Sequence, residues 1–164
     1  HEPLPSPMEK RSAYHRRGKA LESVVIHPDI GIITAPEYPL EDSEWDQLTL
    51  YTTDGRRFSL PRDAAEDFAL CALELMPDGN LLALQRRQQF IAPTWTTRLD
   101  KLVFTDDNRL ERQQLANIVI GRSTLPVDNY EGLTRHKGNR YFMISDDNEH
   151  FMQQTLLVYF EVQE

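Results

Sequence analysis

The segment "MISDDNEH", residues 143 to 150, passes from apolar residues into three side chains with cation-binding oxygens: Asp146, Asp147 and Asn148. Carboxylate and amide oxygens are the ligands that Ca²⁺ prefers, and bound Ca²⁺ can hold a phosphate ester and polarise it. The same residue types also end strands, because they hydrogen-bond to their own backbone in turns. The segment therefore has two interpretations, a metal site or a turn.

Motifs for other chemistries are weaker. "GRSTL", beginning at Gly121, lacks the second glycine of a G-x-S-x-G nucleophile elbow, so no serine nucleophile is indicated. "TDDNRLE", beginning at Thr105, lacks the spacing and the glycine of an EF-hand loop and is typical of a turn. The absence of a recognisable base or nucleophile favours a protein that only binds a ligand or partner, while the clustered acidic residues permit metal-dependent hydrolysis.

Composition limits the partners of the chain. The 164 residues carry a formal net charge of −8, which argues against a nucleic-acid backbone as the main partner. No apolar run approaches the ~18 residues of a membrane-spanning helix. The single cysteine, Cys71, permits no intramolecular disulfide, so the cysteine count does not indicate a compartment. Residues 1–19 are polar and Pro-rich, unlike a signal peptide, and we expect a flexible lead-in before one domain over residues 20–164.

Short apolar runs bounded by turn residues recur along the domain, which predicts an all-β fold of antiparallel strands. Asp54-Gly55 is the strongest hairpin signal. Only residues 62–69 and 109–119 have a pattern compatible with helices, and both stretches are brief. The sequence therefore predicts strands throughout with little helix.

The hairpins repeat. Pro28-Asp29 aligns with Pro77-Asp78, and a third copy follows with Lys137-Gly138 in its turn. A hairpin recurring every ~50 to 60 residues is typical of β-propeller blades, and inner strands covered on both faces explain apolar runs such as "LLAL". We predict about three four-stranded antiparallel blades, with room for the last to lack a strand. Two face-packed sheets are the alternative, but they give no reason for this repeat.

Residues 128 to 162, "DNYEGLTRHKGNRYFMISDDNEHFMQQTLLVYFEV", resemble the closing blade of the phytase-like family, known for an esterase-like activity of phytase. The matching positions are Asp128, Asn129, Glu131, Gly132, Leu133, Ser145, Asp146, Asn148, Gln154 and Thr155. The start of the domain is similar more loosely, with Glu22, Ser23 and Glu37 in register. In the middle copy of the hairpin, Leu70 and Cys71 stand where the family pattern has an acidic and a small residue.

The resemblance implies where a site would lie. Glu22 and Glu131 fall at equivalent early positions of inner strands, which converge on the propeller axis. Together with the Asp-Asp-Asn triplet they form the predicted metal site: Glu22, Glu131, Asp146, Asp147 and Asn148, with Ca²⁺ as the expected cofactor. Glu37, Arg86 and Arg98 are the candidates for substrate binding. Arg86 and Arg98 follow apolar strands and could meet an anion at the channel mouth. Solvated strand ends are the alternative role for the arginines.

The family domain is about twice as long as this chain and resembles a propeller of about six blades, so the resemblance assigns this chain to the C-terminal half. Three blades cannot close a ring, and we therefore expect the missing half or a second copy of the chain as a partner. The resemblance also implies a bacterial protein of the periplasm or exterior. Two functions remain open: a metal-dependent phosphoester hydrolase acting on a small phosphorylated substrate, and a non-catalytic propeller that binds a ligand or a protein partner.

Overall fold

The computed structural model describes residues 4, 6–15, 20–62, 66–89, 94–120, 129–147 and 155–163. These residues form one short 3₁₀ helix, Arg11–Ala13, and eleven strands. The strands are β1 (Leu21–His27), β2 (Gly31–Pro36), β3 (Gln47–Thr52), β4 (Arg57–Pro61), β5 (Ala69–Leu75), β6 (Leu81–Gln89), β7 (Thr94–Phe104), β8 (Leu110–Ile120), β9 (Asn129–Lys137), β10 (Arg140–Asp146) and β11 (Leu157–Glu161). Within the described ranges no helix is long and apolar enough to cross a membrane.

The strands form three antiparallel sheets. Sheet 1 has the order β1-β2-β3-β4, sheet 2 the order β5-β6-β7-β8, and sheet 3 the order β9-β10-β11. The first strands of the three sheets pack side by side, β1 against β5 and β5 against β9. This arrangement of up-and-down sheets around common inner strands confirms the predicted all-β, propeller-like fold with a shorter last sheet.

The predicted hairpins are present. Pro28-Asp29 lies in the β1–β2 turn, Pro77-Asp78 in the β5–β6 turn, and Lys137-Gly138 at the β9–β10 turn. Asp54-Gly55 joins β3 to β4, and Gly55 has a φ of 88°, a conformation that side chains with a Cβ rarely adopt. Local turn chemistry therefore determines where each pair of strands reverses.

Sheet 2 is covered on both faces. Leu81 and Ala83 of β6 belong to the core shared with sheet 1, whereas Leu82 and Leu84 belong to the core shared with sheet 3. All four side chains are fully buried. The continuous apolar run of β6 therefore results from a strand with a sheet on either side.

The stretches with a helix-compatible pattern differ from the expectation. Residues 109–119, which had a helix-compatible pattern, are almost entirely strand β8, which pairs with β7 along its length. Cross-strand pairing overrides the local preference there. In the lead-in, Met8 and Ala13 are buried in a cluster with Leu40 and Tyr51, so this part of residues 1–19 packs on sheet 1. Of residues 62–69, those described form no helix, and β5 begins at Ala69.

Candidate functional site

Each inner strand contains a β-bulge at the same place. In β1, Leu21 pairs with Pro36 and Ser23 with Ala35, so Glu22 is the extra residue. The same register shift makes Cys71 the extra residue of β5, and Glu131 that of β9. A bulge re-aims a side chain that regular alternation would direct to one face of the sheet. The equivalence of Glu22 and Glu131 predicted from the sequence is therefore present, with Cys71 between them.

A second set of equivalent positions lies beside the bulges, where the second strand of each sheet ends. Arg86 pairs with Ala69, and Asp146 pairs with Asn129. Glu37 takes the corresponding place in sheet 1, where its N–H donates to the carbonyl of Ala20 at 3.0 Å. Because the inner strands begin and the second strands end at the same edge, both sets lie on one rim of the sheets. We call this edge the inner rim.

Arg86 connects all three sheets at the inner rim. Its Nη1 lies 2.9 Å from Oε1 of Glu131 in sheet 3, and its Nη2 lies 3.4 Å from Oε1 of Glu37 in sheet 1. The Glu37 side chain is 2% exposed, that of Arg86 14% and that of Glu131 40%. Burial lowers the pKa of Arg86, but the anionic groups around it outweigh this effect and raise the pKa above its usual value. Arg86 is therefore a permanent cation between two carboxylates.

Glu131 is also held from its own strand. The amide nitrogen of Asn129 donates a short hydrogen bond to Oε1 of Glu131, the oxygen that faces Arg86. Asn129 is 2% exposed, and its Oδ1 is buried without a hydrogen-bond partner among the described residues. One oxygen of Glu131 is thus fixed by two donors. The carboxylate is the most accessible member of the three-residue cluster formed by Glu37, Arg86 and Glu131.

Cys71 lies inside this group of charges. Burial raises the pKa of its thiol to about 12, and the Arg86 guanidinium opposes that rise. The negative charges of Glu37, Glu131 and Glu22 add to the rise. Cys71 is therefore an uncharged thiol at the bulge position where the two neighbouring sheets have carboxylates.

Arg98, a predicted substrate-binding residue, is engaged in a different network. Its Nη2 donates to Gln85 Oε1 at 2.8 Å, its Nε lies 3.0 Å from Asp100 Oδ2, and its Nη1 contacts Glu66 at 3.0 Å. Its guanidinium carbon is 4.0 Å from the centroid of the Phe68 ring. Burial raises the pKa of Asp100, whose side chain is fully buried. These contacts hold Arg98 within sheet 2 and the segment preceding β5.

The Asp-Asp-Asn triplet lies at the end of β10. Asp146 is the last residue of the strand and is exposed, Asp147 follows it, and Asn148 is outside the described residues. Ser145 ties this strand end to the chain before β11, because its Oγ accepts from the N–H of Leu156 at 2.8 Å. Within the described part of the chain, no three His, Cys, Asp or Glu side chains are close enough to hold a metal ion. Because Asn148 lies outside the described residues, the calcium site stays a prediction.

The structure thus brings together Glu37, Arg86 and Glu131, which sequence reasoning had divided between substrate and metal binding. Glu22 lies near Cys71, and Asp146 lies on the same rim at the free side of sheet 3. Sequence reasoning missed the link through Arg86, because Arg86 and its partner Glu37 are 49 positions apart in the chain. The repeat itself was the available signal, because Glu37, Arg86 and Asp146 each follow their aligned hairpin turn by the same number of residues.

The model of a protein family described as "Phytase-like: Esterase-like activity of phytase" matches residues 1–149. The match covers most of the chain and includes the bulge and flanking positions of all three sheets, but it ends before β11. No curated protein and no solved structure matches the chain.

Proposed function

The chain belongs to the phytase-like family, and from this premise we propose that it hydrolyses phosphate monoesters at the inner rim of its sheets. The observation that supports this proposal is the cluster of Glu37, Arg86 and Glu131, to which each of the three sheets contributes one charged group. A guanidinium with carboxylates beside it combines an anion-binding group with a proton acceptor, which are the two groups that ester hydrolysis by water requires.

In this proposal Arg86 binds the substrate phosphate. A guanidinium binds phosphate oxygens through two parallel N–H donors. Of the two carboxylate contacts of Arg86, the one with Glu131 is only partly buried, and it is therefore the weaker contact and the one that a phosphate can replace. A phosphate that takes Nη1 from Glu131 leaves Glu37 on Nη2. The guanidinium then stays positioned from sheet 1 while its other face holds the substrate.

Glu131, once displaced from Arg86, acts as the general base. Its carboxylate accepts a proton from a water molecule as that water attacks phosphorus. The ester P–O bond breaks, the leaving alkoxide takes a proton from solvent, and Glu131 releases its proton to solvent, so that inorganic phosphate and an alcohol result. Asn129 keeps Glu131 near the phosphate throughout, because its amide holds the carboxylate from the same strand.

The charge of the rim affects substrate binding. Glu22, Asp146 and Asp147 add negative charge beside the cluster, and an acidic surface repels a phosphate dianion. We therefore propose that calcium favours substrate binding, with Asp146, Asp147 and Asn148 as the residues that would hold it. A periplasmic or extracellular location, where calcium is abundant, is part of the same proposal.

The experiment is a steady-state assay of p-nitrophenyl phosphate hydrolysis, with and without calcium. We expect Arg86→Gln to lower kcat/KM by ~10- to 100-fold, as for the loss of charge-assisted hydrogen bonds of about 1.5–3 kcal/mol. Glu131→Gln should lower kcat by about 100-fold or more with little change in KM. Glu111→Gln, at an exposed position of β8, is the matched control and should behave as wild type. Full activity in Glu131→Gln would show that Glu131 is not the base.

The alternative function is a non-catalytic propeller that binds a ligand. The buried, uncharged Cys71 at the middle bulge favours it, because the middle sheet lacks the carboxylate of its neighbours. If wild-type protein binds a phosphorylated ligand without turnover, and Arg86→Gln abolishes that binding, the alternative function is correct. Calorimetry with inorganic phosphate in the presence and absence of calcium measures this directly.

A further inference from the structure

The loop between β2 and β3, residues 37–46, carries two aromatic side chains that lie against each other. Trp45 is 41% exposed. The ring of Tyr38 is parallel to the Trp45 ring within 3°, and the two ring centroids are 6.1 Å apart. We call these two side chains the aromatic pair. Because indole and phenol rings combine a large apolar face with a polar edge, an accessible pair of them is suited to bind a small ligand.

Arg62, which follows β4, fixes the aromatic pair in place. Its guanidinium carbon is 4.8 Å from the centroid of the Trp45 ring and 5.6 Å from that of the Tyr38 ring. Its Nη1 donates to the carbonyl of Trp45 at 3.2 Å, and its backbone N–H donates to the carbonyl of Asp46 at 2.6 Å. The Arg62 side chain is itself 6% exposed. A ring held in this way has little conformational entropy left to lose when it binds a ligand.

The aromatic pair lies beside the charged cluster of the inner rim. Tyr38 directly follows Glu37 in the chain, and consecutive Cα atoms are about 3.8 Å apart. Phe68 provides a second connection. Its carbonyl accepts from Arg62 at 3.4 Å, and its ring centroid is 5.1 Å from the guanidinium carbon of Arg87, which directly follows the proposed phosphate-binding arginine. Both connections place the aromatic pair at the rim between sheets 1 and 2.

The charges around the aromatic pair restrict what it can bind. Arg62, the cation against the two rings, is already paired with Oδ1 of Asp67 at 2.8 Å. A surface rich in carboxylates repels a further phosphate group, whereas carboxylate oxygens accept hydrogen bonds from hydroxyl groups. The surroundings of the aromatic pair therefore favour an uncharged ring. The exposed carboxylate residues of the loop are Glu41, Asp42, Glu44 and Asp46.

We propose that the aromatic pair binds the alcohol part of the substrate, and that the substrate is a monophosphate ester of an alcohol with an uncharged ring. This specificity rests on the proposed hydrolysis, because Arg86 holds the phosphate while Trp45 contacts the ring. The negative face of an indole attracts the positive edge of an aryl ring and the C–H groups of a pyranose. Aryl phosphates and sugar phosphates share this chemistry, and Trp45 is the residue that selects for it.

The experiment compares kcat/KM for p-nitrophenyl phosphate, glucose 6-phosphate and glycerol 2-phosphate, which carry an aryl ring, a pyranose and no ring. Trp45→Leu keeps the apolar bulk but removes the aromatic face. We expect it to lower kcat/KM by about 3- to 10-fold for a ring-bearing ester and to leave glycerol 2-phosphate unchanged. A loss for only one of the two ring-bearing esters identifies the kind of ring. Trp45→Phe should retain most of the preference. Tyr159→Ala, which removes an exposed aromatic ring from sheet 3, is the matched control and should change none of the three values.

Tryptophan fluorescence separates this specificity from the hydrolysis itself. The chain has two tryptophans, so Trp95→Phe leaves Trp45 as the sole emitter. Titration with glucose 6-phosphate or phenyl phosphate should change the emission, whereas glycerol 2-phosphate should not. A response without turnover of any ester would refute the proposed hydrolysis and support the aromatic pair as a binding site. If esters are hydrolysed but Trp45→Leu, folded by circular dichroism, affects ring-bearing and ringless esters equally, the hydrolysis stands and the role of the aromatic pair is overturned. The absence of a response to both ring-bearing esters overturns it as well.

Discussion

Removal of the Arg86 side chain charge should destabilise the fold chiefly through Glu37. Glu37 is 2% exposed, and loss of one partner from a buried ion pair generally costs about 3–5 kcal/mol. The Nη2–Oε1 distance of 3.4 Å is long for such a contact, which places the expected cost near the low end of that range. Glu131 is 40% exposed, and its pair with Arg86 should add at most about 1 kcal/mol. We therefore expect Arg86→Met to cost about 3–4 kcal/mol.

The assay is urea unfolding at a fixed protein concentration, followed by circular dichroism, with the melting temperature as a second measure. At about 2–4 °C per kcal/mol for a domain of this size, Arg86→Met should melt ~6 to 16 °C below wild type. A double-mutant cycle with Glu37→Gln isolates the pair, and we expect a coupling energy of about 2 kcal/mol. Arg109→Met removes an arginine from an exposed pair with Asp107 and should leave the melting temperature nearly unchanged.

The cycle has a clear negative outcome. If Arg86→Met costs as much in the Glu37→Gln background as in wild type, the two side chains are not coupled. Arg86 would then stabilise the protein through packing of its aliphatic stem, and the charge link between sheets 1 and 2 at the inner rim would be absent.

Three further perturbations test other parts of the structure. Because burial raises the pKa of Cys71 to about 12 from 9.0, the folded protein holds this proton more tightly than the unfolded chain. This contribution to stability is complete below pH 9 and is lost as pH rises towards about 12. The urea midpoint of Cys71→Ala should therefore fall less at alkaline pH than that of wild type. His27 joins two hairpins, since its Nε2 lies 2.8 Å from the Gly79 carbonyl and its Nδ1 accepts from two N–H groups of its own turn. His27→Ala should cost about 2–4 kcal/mol in urea unfolding, and a cost below about 0.5 kcal/mol would contradict the link. Calcium should raise the melting temperature of wild type in a thermal shift assay and have less effect on Asp146→Asn; equal responses would leave Asp146 as a strand end only.

The parts of the fold that depend on local chemistry were predictable. Turns such as Asp54-Gly55 require a backbone conformation that few residues adopt, and short-range sequence therefore identifies them. The apolar run of β6 indicated a strand with both faces covered, and sheets 1 and 3 cover it. Strand β8 was not predictable in the same way, because its mixed pattern acquires strand structure only from its pairing with β7.

The site was less predictable than the fold. Glu22 and Glu131 could be aligned because they precede the small residues Ser23 and Gly132, but a bulge has no local signature that fixes the direction of its side chain. The role of Arg86 depends on two carboxylates from other sheets. Such links arise from the packing of sheets against one another, which is the least local part of the structure.

At the repeated bulge, a strand residue lies outside the regular alternation of core-facing and solvent-facing positions. A residue in regular alternation must suit either the core or the solvent, so its replacement changes stability. The extra residue in β1, β5 and β9 is outside that alternation, and the three sheets hold a glutamate, a cysteine and a glutamate there while their neighbouring residues keep the same cores. Mutation at Glu22 and Glu131 can therefore diversify the chemistry of the rim one sheet at a time, whereas Cys71 is buried in the core shared with sheet 3. The architecture is in this sense evolvable, because new specificities can be sampled without redesign of the interior.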